Sequence, residues 1–564
     1  MRSNLSIRSA RIKKEGITND NNKFLLNLGN EERAAVKWIR TVKYTGRYRR
    51  SPADTKWSPP EPRGSALSER ISWLERQLAH SSDIVFRPFA AEFEAEAGHK
   101  GLIVYVENMI DTSLLELMIH NGLMRREPSL PGDASILAAE NGKRSALAGV
   151  RTTTSLRHAV LAVLQGQLLL LFDDQPDIRI YPLRKVETRA ITESTNESVI
   201  RGPREAFVED IDTNLTMIRR RIKHPALTTE QLTFGTYTHT KAMLVYIEGI
   251  CKQELVREMK KRLGRVEIDG VLGSSYLEEY IEDNPYSPFP QLQHTERPDV
   301  VSASLLEGRI ALFVDGTPIP ILAPLTLPML LQASEDYYQR FIAATWIRTL
   351  RFFFLFVTLL FPSIYIAITT FHPEMLPPTL LITVAAARET TPFPALVEAI
   401  LMELSFEALR EGGLRIPKAI GQTVSIIGAL IIGQAAVQAG IVSAPMVIVV
   451  SMTGIASFII PHFDLGLSLR LLRFPIMIMA GAFGLLGVVV AIILIYIHLI
   501  NLRSFGTPYL SPLAPLRPED LKDVLVRAPW WKMRTRPHLH GTASDQREAA
   551  IKLPQLPEGG WDGD

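Results

Sequence analysis

Two kinds of hydrophobic patterning divide this 564-residue chain. Residues 1–340 are charged and polar throughout, with short apolar runs set between turn residues. Residues 350–502 carry much longer apolar runs. The first, residues 352–371, has no charged residue, and about 20 apolar residues at 1.5 Å each cross a ~30 Å hydrocarbon core. Runs of comparable length follow at 419–439, 441–461 and 475–500. Backbone in lipid must satisfy its own hydrogen bonds, so these runs predict helices. Residues 379–413 differ. A short apolar stretch (380–387) leads to Arg388-Glu389-Thr390-Thr391-Pro392-Phe393-Pro394. Beyond the prolines, Glu398, Glu403, Glu407 and Glu411 are set among Leu, Ile and Met.

The soluble half contains an internal repeat. Leu102-Ile103-Val104-Tyr105-Val106-Glu107 matches Met243-Leu244-Val245-Tyr246-Ile247-Glu248, and the stretch from Gly166 to Asp173 matches that from Gly308 to Asp315. The two matches share an offset of about 141 residues, which chance does not readily produce. In each copy a β-type run precedes a helix-like stretch (113–121 and 253–263). Each copy closes on two apolar runs around a turn, Asp173-Asp174-Gln175-Pro176 or Asp315-Gly316-Thr317-Pro318. The expected fold class is therefore a membrane protein, a cytoplasmic α/β domain of two related subdomains followed by a polytopic α-helical transmembrane domain. The expected divisions are a basic disordered tail (1–65), subdomain 1 (66–200), subdomain 2 (201–340), the transmembrane domain (341–502) and a C-terminal cytoplasmic tail (503–564).

Composition adds little to this. Mean hydropathy is +0.09 and net charge +3, averages over two unlike halves. Charge matters only locally: residues 1–63 hold fifteen Lys/Arg against six Asp/Glu, a net +9. That tail is either an arm for anionic lipid, where each basic residue near the surface gains about 1 kcal/mol, or a solvated segment. No apolar core follows the first basic residues, so no secretory signal is expected. The single cysteine, Cys251, excludes an internal disulfide framework and reads as a small buried hydrophobe. No phosphate loop, H-E-x-x-H or G-x-S-x-G is present. No enzyme, metal, cofactor or nucleic-acid partner is expected, and Glu107 and Glu248 read as structural.

Arg340, Arg348 and Arg351 precede the first long run, which puts the soluble half in the cytoplasm by the positive-inside rule. Arg410, Arg415, Lys418, Arg470 and Arg473 mark further cytoplasmic ends. The last run, taken as one crossing, then leaves the basic tail beyond Arg503 on the wrong side, so one segment must be re-entrant or amphipathic. Two readings of the glutamates stand open. Glu403 and Glu407 share a helix face, and with Glu398 and the breaking residues Pro392 and Pro394 they are candidates to line or gate a cation pore. Alternatively they pair with Arg410, Arg415 or Lys418 at the membrane boundary. Gly428, Gly433, Gly440, Gly481, Gly484 and Gly487 are candidates for close helix packing, within or between subunits. Arg219-Arg220-Arg221 reads as a solvated face or as a surface for lipid or a partner.

Several motifs in order resemble the A subunit of the GerA family of spore germinant receptors, from about residue 70 to 537. In the soluble half they are SDIVFR (82–87), RGPREAF (201–207), NLTMIRRRIK (214–223), SPFPQ (287–291) and TERPD (295–299). In the apolar half they are PFPA (392–395), Glu403, Glu407, Arg410-Glu411, RIP (415–417), GIVSAP (440–445) and SFGTPYLSP (504–512). The resemblance implies a subunit of a nutrient-sensing receptor in the spore inner membrane, working with a transporter-like B subunit and a lipoprotein C subunit. It further implies a homo-oligomer in contact with membrane lipid that forms a nutrient-gated ion channel, with both termini cytoplasmic. The alternatives are a non-conducting scaffold subunit and a secondary transporter; inverted membrane repeats would favour the transporter.

Overall fold

The computed structural model describes residues 60–62, 64–78, 80–91, 99–116, 150–183, 197, 199–415, 433–537 and 547. Nearly all of the basic tail, Gly428 and most of the 419–439 run lie outside the described residues.

The N-terminal head is built from two five-stranded antiparallel sheets. The first follows helix α1 (Leu67–Leu78) and comprises β1 (Ile84–Ala91), β2 (His99–Val106), β3 (Arg151–Thr153), β4 (Leu168–Phe172) and β5 (Ile178–Tyr181), with α2 (Leu156–Val163) before β4. The second follows α3 (Ile211–Arg221). It comprises β6 (Leu227–Phe234), β7 (Thr240–Ile247), β8 (Gln293–His294), β9 (Ile310–Val314) and β10 (Ile321–Ala323). Helices α4 (Gln253–Leu263) and α5 (Ser274–Ile281) follow β7, and α6 (Pro298–Leu306) precedes β9.

Strand order is β1-β2-β4-β5-β3 in one sheet and β6-β7-β9-β10-β8 in the other, position for position the same. Register matches too: Leu102 pairs with Leu171 in the first sheet, and Met243 with Phe313 in the second. Val104-Tyr105 and Val245-Tyr246 thus occupy the same place in equivalent strands. Alternation explains the packing of the second sheet. Leu244, Tyr246, Leu312 and Val314 face α4 and α5, while Met243, Val245, Ala311 and Phe313 face α3 and α6. Strands covered on both faces read as continuous apolar runs, which is why β4 and β9 are buried at every position.

The two sheets are joined by a buried ion pair. Arg219 on α3 is 1% exposed and donates from Nε and Nη2 to Asp83 at 2.8 and 2.7 Å, and Thr229 donates to the same carboxylate at 2.8 Å. The solvated or lipid-facing role expected for Arg219 is thereby corrected: its helix turns it inward against the partner sheet. Asp83→Ala leaves that guanidinium buried without its carboxylate, a loss of about 3–5 kcal/mol. A lowered denaturant midpoint checks this; an unchanged midpoint contradicts it.

Below the head lie α7 (Phe341–Phe371), α8 (Pro378–Glu389), α9 (Ala395–Arg415), α10 (Ala444–Phe458) and α11 (Phe463–Asn501), followed by the short strands β11 (Arg503–Ser504) and β12 (Thr507–Pro508). Among the described residues, α7 and α11 are long and apolar enough to cross a membrane; α10 is apolar and shorter, at 15 residues. Among the described residues, α7, α10 and α11 answer to the first, third and fourth long runs, and the second run is largely undescribed.

The last run departs most from expectation. Helix α11 is interrupted at Gly484, whose φ of 61° and ψ of −142° are non-helical. Uninterrupted, 39 residues would extend about 58 Å at 1.5 Å each. Yet both ends of α11 touch the same loop of the head. Asp464 meets His294 at 3.2 Å and Ser468 donates to the Pro288 carbonyl, while His498 meets Ser287 at 2.8 Å. The element is a helical hairpin with limbs 463–483 and 485–501, not one crossing. At its apex, a Cβ on Gly484 would lie 2.9 Å from Cβ of Phe371, at the far end of α7. The chain after α11 therefore returns to the head. Tyr509 donates to the Pro290 carbonyl at 2.7 Å, and Ser504 to that of Gln291 at 2.7 Å.

Candidate functional site

Helix α9 starts after the break at Pro392-Phe393-Pro394, where the backbone is exposed and Thr391 donates to the Arg388 carbonyl. Pro394 then opens the helix, its carbonyl accepting from Val397. From there α9 runs from the distal end of the bundle toward the head. Leu396 packs on Gly481, Glu403 meets Arg473, and Glu407 lies beside Arg470 on the first limb of α11.

The glutamates form a ladder of ion pairs inside one subunit. Glu398, fully buried, accepts from Ser443 N and Oγ at 3.0 and 2.8 Å and lies 3.6 Å from Arg388. Glu403, 3% exposed, pairs with Arg473 at 2.5 Å, and Arg473 Nε donates to the Thr358 carbonyl of α7 at 2.9 Å. One bond set thus ties α7, α9 and α11 together. Glu407 is half-buried, 3.1 Å from Arg410 and 3.7 Å from Arg470; Glu411 is exposed. Of the boundary partners expected, Arg410 pairs, the side chain of Arg415 and all of Lys418 lie outside the described residues, and Arg470 and Arg473 were missed. The signal was present, since Arg470 and Arg473 are three apart on one face as Glu403 and Glu407 are four apart. Glu403 Oε1 and Arg473 Nη2 are buried and unbonded, so the middle rung is only partly satisfied.

The glycines serve different ends. Gly481 takes the side chain of Leu396, a Cβ there lying 2.7 Å from Leu396 Cδ2. Gly433 faces Val447, and Gly440 (φ 65°) turns the chain against the Thr390 carbonyl. Gly484 is the hairpin apex and also meets Phe371 of α7, and Gly487 lies against the Met479 carbonyl beside that apex.

The bundle is clamped to the head at its base. Arg348 and Arg351, expected as flanking charges, are buried on α7 and pair with Asp336 at 3.3 and 2.7 Å. Arg348 also reaches Asp523 of the C-terminal segment at 2.9 Å. On the other side, His294 Nε2 lies 3.1 Å from Glu278 and Nδ1 3.2 Å from Asp464 at the start of α11. Burial disfavours the imidazolium, but the hydrogen bonds to Asp464 and Glu278 outweigh it and push the His294 pKa up to about 10. Unfolded histidine titrates near 6.5, so this clamp stabilises fully below pH ~6.5 and weakens as pH rises through about 10. The full chain in detergent should lose stability across that window, and His294→Gln should flatten the slope; identical slopes would contradict the clamp.

An α/β head is clamped to a helical bundle in which two helices are long and apolar enough to cross a membrane, and similarity to known proteins specifies its kind. The chain belongs to the Bacillus/Clostridium GerA spore germination protein family, whose model matches residues 72–539. It is 44% identical to the uncharacterized membrane protein YfkQ of Bacillus subtilis over 87% of this chain and 94% of that one. It is 41% identical to spore germination protein KA of Bacillus subtilis over 87% and 89% of the two chains. A solved structure, the N-terminal domain of the A subunit of the Bacillus megaterium spore germinant receptor GerK3, is 32% identical over 46% of this chain and 95% of that one, with a TM-score of 0.34.

Proposed function

We propose that the chain is the A subunit of a nutrient-sensing germinant receptor of the spore inner membrane. In this reading several copies assemble, with B and C subunits, into a nutrient-gated channel that releases cations at the start of germination. The observation that carries it is a family match running unbroken from the head through the helical bundle, residues 72–539. Folding of α11 at Gly484 supports a return of the chain to the side from which it left: α7 runs outward, α9 and α10 run back toward the head, and the two limbs of α11 run out and return. Head and tail then share the cytoplasmic side, as their packing against each other favours. The outer surface of the bundle, including Ile448, Ile455, Phe458, Leu486 and Leu494, is apolar and exposed, as lipid or neighbouring copies require.

In the channel reading α9 flanks the conduction path. Glu407 and Glu411 are its solvent-reachable carboxylates near the head, and Glu398 and Glu403 brace the wall. The pairing of Glu398 and Glu403 within one subunit favours a second reading, a non-conducting scaffold that holds the B and C subunits. Spores lacking this chain, with and without its restored gene, distinguish a receptor role from none. Restoration should recover monovalent-cation release on exposure to a nutrient mixture; release that does not depend on the chain would contradict the proposal.

A further inference from the structure

A cavity of about 660 Å³ lies where head, bundle and C-terminal segment meet, within the range that holds small ligands. Gln293, Ala303 and Arg309 of the head line it, with His462 at the start of α11 and Trp530 and Arg547 of the tail.

Arg309 sets its chemistry. The residue is 3% exposed. Its Nη1 donates to Gln293 Oε1 at 2.6 Å and to Ser304 Oγ at 3.1 Å, and its Nη2 to the Leu322 carbonyl at 3.4 Å. All of these acceptors are neutral, and Nε is buried with no acceptor. The adjacent carboxylate, Glu307, is engaged by Arg547 at 2.8 Å. Among the described residues Arg309 has no ion-pair partner, unlike Arg219, Arg297, Arg348 and Arg473, each buried with a carboxylate. A buried cation without an anion is costly, and guanidinium presents its donors in a fork that fits an oxyanion.

Glu197, Asp299, Glu307 and Glu335 also line the cavity, and Glu307 acts on Arg309 through space, but among the described residues none of them forms an ion pair with Arg309. His462 Nδ1 donates to the Leu330 carbonyl at 3.0 Å, so its Nε2 accepts from Gln293 at 3.1 Å and the ring is neutral. Burial, with Arg309 and Arg351 nearby, holds its pKa down at about 4. Burial likewise lowers Arg309 to about 10. The same cavity holds an acceptor in want of a donor, since Glu335 Oε1 is buried and unbonded.

We propose that this cavity binds a small oxyanion, the carboxylate or phosphate of a solute or of a lipid headgroup, on the guanidinium of Arg309. Glu335 Oε1 accepts from a donor group of the same molecule. The site joins three parts of the chain, so its occupancy holds the C-terminal segment and the base of the bundle to the head. The inference stands apart from the channel reading, since neither conduction nor assembly enters it.

The test is thermal unfolding of the full chain, delipidated in detergent, at fixed ionic strength. Sodium phosphate, sodium acetate or phosphatidylglycerol is titrated against chloride. The wild type should show a saturable rise in midpoint with at least one. Arg309→Gln should raise the half-saturation concentration about tenfold or more, a loss of about 1.4 kcal/mol. Ala303→Leu, which keeps Arg309 and fills the space from an exposed position, should do the same and serves should Arg309→Gln fail to fold. A response to phosphate or acetate identifies a soluble oxyanion; a response to phosphatidylglycerol alone identifies a headgroup. No saturable response from the wild type, or equal responses from wild type and Ala303→Leu, would overturn the site.

Discussion

Glu403→Gln should destabilise the helical bundle by about 3–5 kcal/mol, the cost of breaking a buried ion pair from one side. The substitution is nearly isosteric, so packing is kept and the effect isolates charge. Arg473 is left at 2% exposure, holding only the Thr358 carbonyl and with Nη2 already unbonded. The chain should therefore express poorly or melt early in detergent. Removing both charges, as Glu403→Leu with Arg473→Met, should recover most of the loss, because well-packed apolar replacements of buried pairs are often neutral. Glu407→Gln should be mild, its carboxylate being half-exposed. Wild-type melting of Glu403→Gln would show that the pair does not brace the bundle. Altered cation selectivity from that well-assembled variant would then favour Glu403 as a pore-lining residue.

The second large effect belongs to Gly484. At φ 61° and ψ −142° only glycine is at ease, and other residues are strained by about 1–3 kcal/mol. The added Cβ would also lie 2.9 Å from Cβ of Phe371, an atom fixed to the backbone of α7. Gly484→Leu should therefore open the hairpin and let α11 run on as one helix, carrying the segment beyond Arg503 away from the head. Gly481→Ala is the control. Its Cβ meets the movable end of Leu396, and the helix there is regular, so the loss should be small. Single cysteines in the C-terminal segment, placed in a Cys251→Ala background, report sidedness to an impermeant thiol reagent. The wild type and Gly481→Ala should label with the head. A Gly484→Leu chain that also labels only with the head would sink the hairpin as the determinant of parity.

These two residues show where the sequence was silent. The repeat was legible because paired central strands are apolar at every position, so Leu102–Val106 and Met243–Ile247 stayed alike while surface residues drifted. The apex at Gly484 was not, because Met479-Ala480-Gly481-Ala482-Phe483-Gly484-Leu485 continues one apolar run. In lipid a turn needs no polar punctuation when neighbouring helices cover it, so the glycine looked like packing. The charged residues were visible, but their partners were set by tertiary approach. Arg473 lies 70 positions from Glu403 and Arg219 lies 136 from Asp83, distances at which no local pattern operates. The positive charges before α7 pointed to a membrane boundary, but not that Asp336 and Asp523 neutralise them.

Conduction is the finest part of the proposed function. The most direct measurement is the current across a planar bilayer containing the purified chain assembled with its B and C subunits, recorded before and after a nutrient mixture is added. A cation-selective conductance should appear with nutrient and be lost with Gly484→Leu. A complex that is fully assembled and binds nutrient yet passes no current would contradict it and leave the scaffold reading in its place.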